Sequence, residues 1–460
     1  MNALLLSAIL GVVMMFTGIW VKRYTVIKRV ALAGMALLFV ANCIELKGTR
    51  WFNFDVSGFM QFNNFSLVFI AIAIFVTILF TLVSGTEIRK VGNYSADYFA
   101  LIFFIISGVI LLASFQNLLI LFLAIEIVTI PSYILTGAEK RNLKSNEAAL
   151  KYLLLGSFST GVMLLGIALI YGSQGSFDIN QMQIGMLEGN KISNLQVAGI
   201  LTLMFSMAFK SSIAPFHFWT PDIYDGAPTV FASYMATVIK VAVFIGFIRL
   251  FENAFGNLSS TWALWIAILI VATLLIGNIT ATFQQSVKRM LAYSSISHAG
   301  FMLFAVFAMN ESAHEGLIIY AAGYSLATIG IFAIVAKMND YSFEGFNGLA
   351  RHQPLIALTA TICLLSLAGI PLSVGFLGKF YMLKAAVLTG KYIWLVVFAV
   401  IMAAVSAYYY FRVIQAMYFK EGPDNFTGAT TVEKYTMLAI CALIIILGVV
   451  PGILLVHLYF

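Results

Sequence analysis

Residues 209–229 read FKSSIAPFHFWTPDIYDGAPT, and residues 367–381 read LAGIPLSVGFLGKFY. Both stretches interrupt apolar runs. The first carries Pro215, Pro221, Gly226 and Pro228, and the second Gly369, Pro371, Gly375 and Gly378. Proline removes a backbone donor and breaks the preceding helical turn. The freed carbonyls and amides, if held in a bilayer, must face protein or a water-filled cavity. Two broken helices at corresponding places in one chain point to an inverted-repeat transporter with its ion path at the breaks. Proline kinks that only shape packing are the plainer reading. A lysine close to each break, Lys210 and Lys379, argues for the path.

The rest of the chain fits a membrane setting. Of 460 residues, 62% are hydrophobic and only 10% charged. A soluble domain is about 45–50% apolar and about 25% charged. Mean hydropathy is +0.98. A soluble enzyme, a disordered regulator and a disulfide-stapled secreted scaffold are excluded. Runs of about 20 apolar residues, the length of one crossing, start near Asn2, Lys28, Phe65, Asp97, Leu118, Glu147, Leu195, Thr229, Thr261, Met290, His314, Leu355, Tyr392 and Thr436. They predict an all-α integral membrane protein of about fourteen transmembrane helices. No alternating pattern of a barrel strand occurs. Cys43, Cys363 and Cys441 lie apart in apolar runs, without metal-ligand spacing, and read as packing residues.

The net charge of +7 reads as topology rather than nucleic-acid binding. The first apolar run has no basic residue before it and is followed by Lys22, Arg23, Lys28 and Arg29. A cleaved signal peptide has the reverse order. With the first span running inward, one set of loops holds most of the cations, among them Lys140, Arg141, Lys144, Lys288, Lys337 and Arg412. The other set holds Lys47, Arg50, Lys191, Arg249 and Lys391. The bias is roughly three to one, and the positive-inside rule then puts both termini outside. Tyr408, Tyr409, Tyr410 and Arg412 read as interface anchors.

A few ionisable residues fall inside the apolar runs. Glu126 is the one carboxylate read as deep in a span, and Lys151, Lys210, Lys240 and Lys379 are the lysines. Each costs about 2.5–3.5 kcal/mol at a span centre, on the order of 12–17 kcal/mol together. That rivals the whole stability of a domain, about 5–15 kcal/mol. The groups must be paired or hydrated, which implies a polar track. Lys151 has a structural alternative, because Glu147 lies one turn before it as an i, i+4 partner. Glu126 beside Lys210 reads either as a fixed ion pair or as a switch that holds and releases the Lys210 proton. His298, among Ser294, Ser295 and Ser297, reads as a proton relay or as a bonded core histidine. His217, in the first break, has the same two readings.

The segments FKSSIAPFHFWTPDIYDGAPT, QSVKRMLAYSSISHAGFML and SLAGIPLSVGFLGKFYML resemble the hallmarks of the antiporter-like membrane subunits of respiratory complex I. The resemblance covers almost the whole chain, most strongly from about Leu121 to Phe419. The superfamily also holds sodium/proton antiporter subunits and membrane-hydrogenase subunits. Within it the sequence is similar to the chain N branch of NADH:quinone oxidoreductase. Glu126, Lys151, Lys210 and Lys240 match family positions, and Lys379 stands where chain M relatives have glutamate. The chain also ends soon after its fourteenth span, whereas the longest relatives continue into a lateral helix.

The resemblance implies two inverted five-helix repeats, 98–252 and 258–420, with helices seven and twelve broken. Three helices in 1–97 precede them and one in 421–460 follows. It implies a proton-translocating subunit in a bacterial inner membrane, with no redox centre of its own. NADH, quinone, FMN and iron–sulfur clusters would belong to other subunits. The implied partners are neighbouring membrane subunits, lipid and protons, with no nucleic acid. A proton would enter near Lys210 and Lys240, cross by His298 and water, and leave by Lys379. Glu126 would couple to neighbours through Lys210, and Lys151 would receive charge from the adjacent subunit. Sodium/proton exchange, or a role in a ferredoxin-linked relative, is the alternative.

Overall fold

The computed structural model describes residues 1–52, 54–182 and 193–459. Lys191, counted above with the outer charges, lies outside them. Among the described residues the chain is helical, with isolated β-bridges and no strand.

Three helices open the chain: α1 (Asn2–Trp20), α2 (Tyr24–Leu46) and α3 (Asn64–Val91). Next come α4 (Ser95–Ser114), α5 (Leu118–Thr136) and α6 (Leu143–Gln174). Helix α7 (Asn194–Lys210) stops at the first predicted break, and α8 (Trp219–Gly226) resumes after it. Helix α9 (Thr229–Tyr234) passes through a π-helical turn, Met235–Ile239, into α10 (Lys240–Phe255). Helices α11 (Ser259–Thr282), α12 (Val287–Ala308) and α13 (Glu311–Val335) follow, then the short α14 (Leu349–His352). Helix α15 (Pro354–Ala368) stops at the second break and α16 (Val374–Leu388) resumes. Helices α17 (Ile393–Phe419), α18 (Thr431–Val449) and α19 (Gly452–Tyr459) complete the chain.

Among the described residues, twelve helical stretches are long and apolar enough to cross a membrane, with α9 and α10 counted as one. The breaks fall where the prolines and glycines place them. At the first, Ser212 takes a left-handed φ of 64°. At the second, Gly369 takes φ 84°, a conformation glycine adopts at little cost. Its N–H bonds the Ser366 carbonyl at 3.0 Å, and the Ile370 N–H bonds the Leu365 carbonyl at 3.0 Å. This Schellman closure satisfies two of the four carbonyls at the end of α15. The carbonyls of Leu367 and Ala368 are left for another donor.

The most enclosed helices are α9–α10 and α13, whose apolar windows are wholly buried, followed by α12. Helices α1 and α17 lie at the periphery. Lipid is as apolar as leucine, so close packing rather than hydrophobic expulsion holds such helices together. Small residues permit it. A Cβ on Gly277 of α11 would meet the Ser297 backbone of α12 at 2.7 Å, and one on Gly300 of α12 would meet Leu274 of α11 at 2.9 Å. Two sets of neighbours repeat along the chain. Helix α4 packs on α5 and α10, and α6 packs on both α7 and α8. Helix α11 packs on α12 and α17, and α13 packs on both α15 and α16.

Candidate functional site

Lys240 and His298 lie on the enclosed helices α10 and α12, and Lys210 and Lys379 are buried beside the two breaks. Lys210 ends α7 and points back at α6. Its Nζ donates to Thr160 Oγ1 at 3.0 Å and to the Gly156 carbonyl at 3.1 Å. Thr160 Oγ1 in turn donates to Glu126 Oε1 at 2.7 Å. The sequence leaves Glu126 and Lys210 either as a fixed ion pair or as a switch that opens and closes. The threonine hydroxyl stands between them, and Glu126 is only half-buried on α5. Gly156 is required at this junction, because a Cβ there would collide with the Tyr133 hydroxyl.

Lys240 opens α10 immediately after the π-helical turn. Such turns cluster at functional sites because the widened ring re-aims the following side chains. Lys240 Nζ donates to Ser295 Oγ at 2.8 Å and to the Ser295 carbonyl at 3.2 Å. It also lies 5.5 Å from the Tyr224 ring centre, on the ring face, a favourable place for a cation. His298 is three residues beyond Ser295 on the same face of α12. Its Nδ1 is 2.6 Å from the Tyr320 hydroxyl and its Nε2 is 3.1 Å from the Tyr410 hydroxyl. Tyr410 also bonds Ser294. A small cavity against His298, Tyr320, Tyr324, Ser366 and Leu367 has room on the order of one water molecule.

Lys379 supplies the donor that the second break lacks. Its Nζ donates to the carbonyls of Leu367 and Ala368, each at 2.9 Å. An ammonium is well placed there, because the C-terminal end of a helix carries about half a negative charge. It also lies 4.9 Å from the Phe301 ring centre. The first break keeps buried polar atoms without a protein partner, namely Ser212 Oγ, His217 Nδ1 and Thr220 Oγ1, with Ser233 Oγ just beyond it. His217 also bonds the Pro215 backbone and stacks against Phe218, with ring centres 4.5 Å apart.

Lys151 stands apart from this interior. Its side chain is 44% exposed, with Glu147 Oε1 at 2.7 Å and Asp222 Oδ2 at 3.6 Å. Arg289 and Asp225 belong to the same surface cluster. The i, i+4 partner expected from the sequence is present.

Several charges assigned to loops fold back onto the bundle instead, with Lys288, Arg249 and Lys337 buried and Arg412 half-buried. Lys288 on α12 donates to the carbonyls of Asp225 and Ala227 at 2.8 Å each, closing the end of α8. Arg249 on α10 bonds the Phe115 carbonyl at 2.7 Å and the Ser114 carbonyl at 3.4 Å, closing α4. Arg412 on α17 bonds the carbonyls of Thr282 at 3.1 Å and Gln284 at 3.3 Å, closing α11. Lys337 lies between Glu87 Oε1 at 3.1 Å and Glu433 Oε2 at 3.2 Å. Hydropathy marks where a span ends but not whether the charge beyond it folds back. The expected tyrosine anchors divide likewise. Tyr408 is 61% exposed, whereas Tyr409 and Tyr410 are fully buried. Tyr320 and Tyr410 were missed as site residues, because a tyrosine in an apolar run carries no charge to flag it.

The chain matches known proteins over most of its length. The family described as NADH:quinone oxidoreductase/Mrp antiporter, TM, matches residues 115–406. The chain is 37% identical to the NADH-quinone oxidoreductase subunit N of Cytophaga hutchinsonii over 99% of both chains. It is 35% identical to the subunit N of Flavobacterium psychrophilum, again over 99% of both. Among solved structures it resembles a chain of respiratory complex I from Thermus thermophilus, with TM-score 0.84, 30% identity and 98% of each chain covered. A chain of the Mrp complex from Dietzia matches with TM-score 0.86 at 18% identity over 99% of this chain and 95% of that one, a likeness of fold alone. The chain belongs to the NADH:quinone oxidoreductase/Mrp antiporter transmembrane family and, within it, to the NADH-quinone oxidoreductase subunit N family.

Proposed function

We propose that this chain moves protons across a bacterial inner membrane as a subunit of an NADH:quinone oxidoreductase. The carrying observation is that three buried lysines, Lys210 on α7, Lys240 on α10 and Lys379 on α16, are held by neutral oxygens rather than by carboxylates. Electron transfer from NADH to quinone, with its flavin and iron–sulfur chemistry, belongs to partner subunits, and this chain answers their charge changes.

Three hydrogen-bonded groups make up the path: Glu126–Thr160–Lys210, Lys240–Ser295, and His298 with Tyr320 and Tyr410. Among the described residues no hydrogen bond joins one lysine to the next. Water completes the gaps, and the unpartnered Ser212, His217, Thr220 and Ser233 atoms offer it partners, since a buried polar group left unmet costs about 1–3 kcal/mol. A proton taken up at Lys210 and Lys240 passes by His298 to Lys379 and leaves on the outer side. Glu126, half-buried and one hydroxyl from Lys210, is the coupling group toward the neighbouring subunit. Lys151, in the exposed cluster at the start of α6, receives charge at that boundary.

The helices divide into 1–97, two five-helix repeats at 98–252 and 258–420, and 421–460. Each broken pair, α7 with α8 and α15 with α16, is taken as one crossing in this division. Paired packing supports the repeats, and so do two arginines. Arg249, on the last helix of the first repeat, closes the end of that repeat's first helix, and Arg412 does the same in the second. Both termini lie on the periplasmic side, as the positive-inside bias directs.

Replacing Lys210, Lys240 and Lys379 singly with alanine, in the whole complex reconstituted in vesicles, tests the reading. Proton accumulation driven by NADH oxidation should fall in each. Full accumulation in all three would refute it.

A further inference from the structure

The loops joining α3 to α4 and α5 to α6 meet at one rim of the bundle. Between them is an open groove of about 1050 Å3, lined by Lys90, Lys140, Arg141 and Lys144, with Glu139 as its carboxylate. Lys90 is committed to Glu87 at 3.0 Å. Lys140, Arg141 and Lys144 have no carboxylate in ion-pair contact among the described residues. Glu139 accepts from the Asn142 amide at 2.8 Å. Lys140 Nζ stands 4.7 Å from the Tyr94 ring centre, which leaves its hydrogen-bonding donors open. Two large side chains are exposed at the same place, Tyr94 at 55% and Leu143 at 83%.

The groove lies where four spans end, at Val91, Ser95, Thr136 and Leu143. That is the depth of the lipid headgroups. Three cations without an ion-pair contact, against the one carboxylate of Glu139, leave the groove net positive and attract a phosphate, and basic pockets between transmembrane helices at this depth take anionic headgroups. An exposed aromatic and an exposed aliphatic beside them suit the glycerol and acyl region. A soluble phosphate would use the cations and leave Leu143 in water. We propose that this groove binds the headgroup of an anionic phospholipid, with Lys140, Arg141 and Lys144 on the phosphate and Tyr94 and Leu143 against the glycerol and first acyl carbons. Its assignment to the inner leaflet rests on the topology proposed above; the lipid selectivity does not.

The test uses the purified complex in nanodiscs of phosphatidylcholine with a minor share of phosphatidylglycerol, read by native mass spectrometry of retained lipid. Phosphatidylglycerol should be retained on this subunit above its share. K140A/R141A/K144A should lower that retention about tenfold, whereas K140R/K144R, which keeps the charge, should preserve it. R351A/K420A, which removes two cations elsewhere, should leave it unchanged. Equal retention of both lipids, an unaffected triple variant or an equal loss in R351A/K420A would overturn the proposal. Displacement of the lipid by millimolar inorganic phosphate would reassign the groove to the free anion. Nanodiscs expose both faces, and retention needs no proton transport, so neither a wrong topology nor a wrong transport role changes the result.

Discussion

Lys240 and Lys337 are both sealed lysines, 1% and 2% exposed, and their partners differ. Lys337 is clamped by Glu87 and Glu433, with Thr86 Oγ1 at 2.9 Å as a third partner. Lys240 has one serine and the face of a tyrosine ring. Loss of the Lys337 charge would strand the buried Glu433 carboxylate and leave Glu87 with Lys90 alone, a strongly unfavourable outcome. Loss of a proton from Lys240 strands none, and a neutral amine can still donate to the same serine oxygens. Burial alone therefore does not mark a transport residue. A buried cation among neutral oxygens can change charge in place, and one between carboxylates ties helices α3 and α18 to the end of α13.

Four single substitutions and one triple variant can break or sharpen this contrast. Lys240→Ala should lower proton flux per complex more than about tenfold while leaving thermal stability unchanged or raised, since it removes an unpaired intramembrane charge. Lys337→Ala should do the opposite. Stability should drop by about 3–5 kcal/mol, read from the melting of the complex, and flux per assembled complex should hold. Adding Glu87→Gln and Glu433→Gln to Lys337→Met should restore most of that stability. A smaller effect is expected from Thr160→Val, which cuts the link between Glu126 and Lys210. Flux should fall a few-fold at a stability cost of about 1 kcal/mol. The smallest belongs to Lys151→Ala, whose exposed ion pairs should leave melting unchanged. A large loss of flux there would extend the path to the rim of α6.

Much of this arrangement was legible before any coordinate. Charge is scarce in an apolar chain, so Lys210, Lys240 and Lys379 stood out by cost, and Pro215 and Gly369 located both breaks. The neutral members of the path were not legible. Thr160, Ser295, Tyr320 and Tyr410 cost too little in a membrane to mark themselves by composition, and each gains its role from a neighbour distant in sequence. The bridge between Glu126 and Lys210 was hidden for the same reason, because nothing local says that a threonine will reach between them. Arg249, Lys288 and Lys337 were misplaced because folding back onto a helix end is a tertiary event. The repeat, hinted at by the two breaks, gains support from the matched arginines Arg249 and Arg412.

The central claim is that lysines held by neutral oxygens carry the protons. The initial rate of proton accumulation in vesicles bearing the complex with Lys240→Arg tests it most directly. Arginine keeps a positive charge and hydrogen-bond donors, but its guanidinium does not give up its proton in a protein. With the complex assembled and its content matched to wild type, accumulation should fall below about a tenth of the wild-type rate. Accumulation at the wild-type rate would contradict the account.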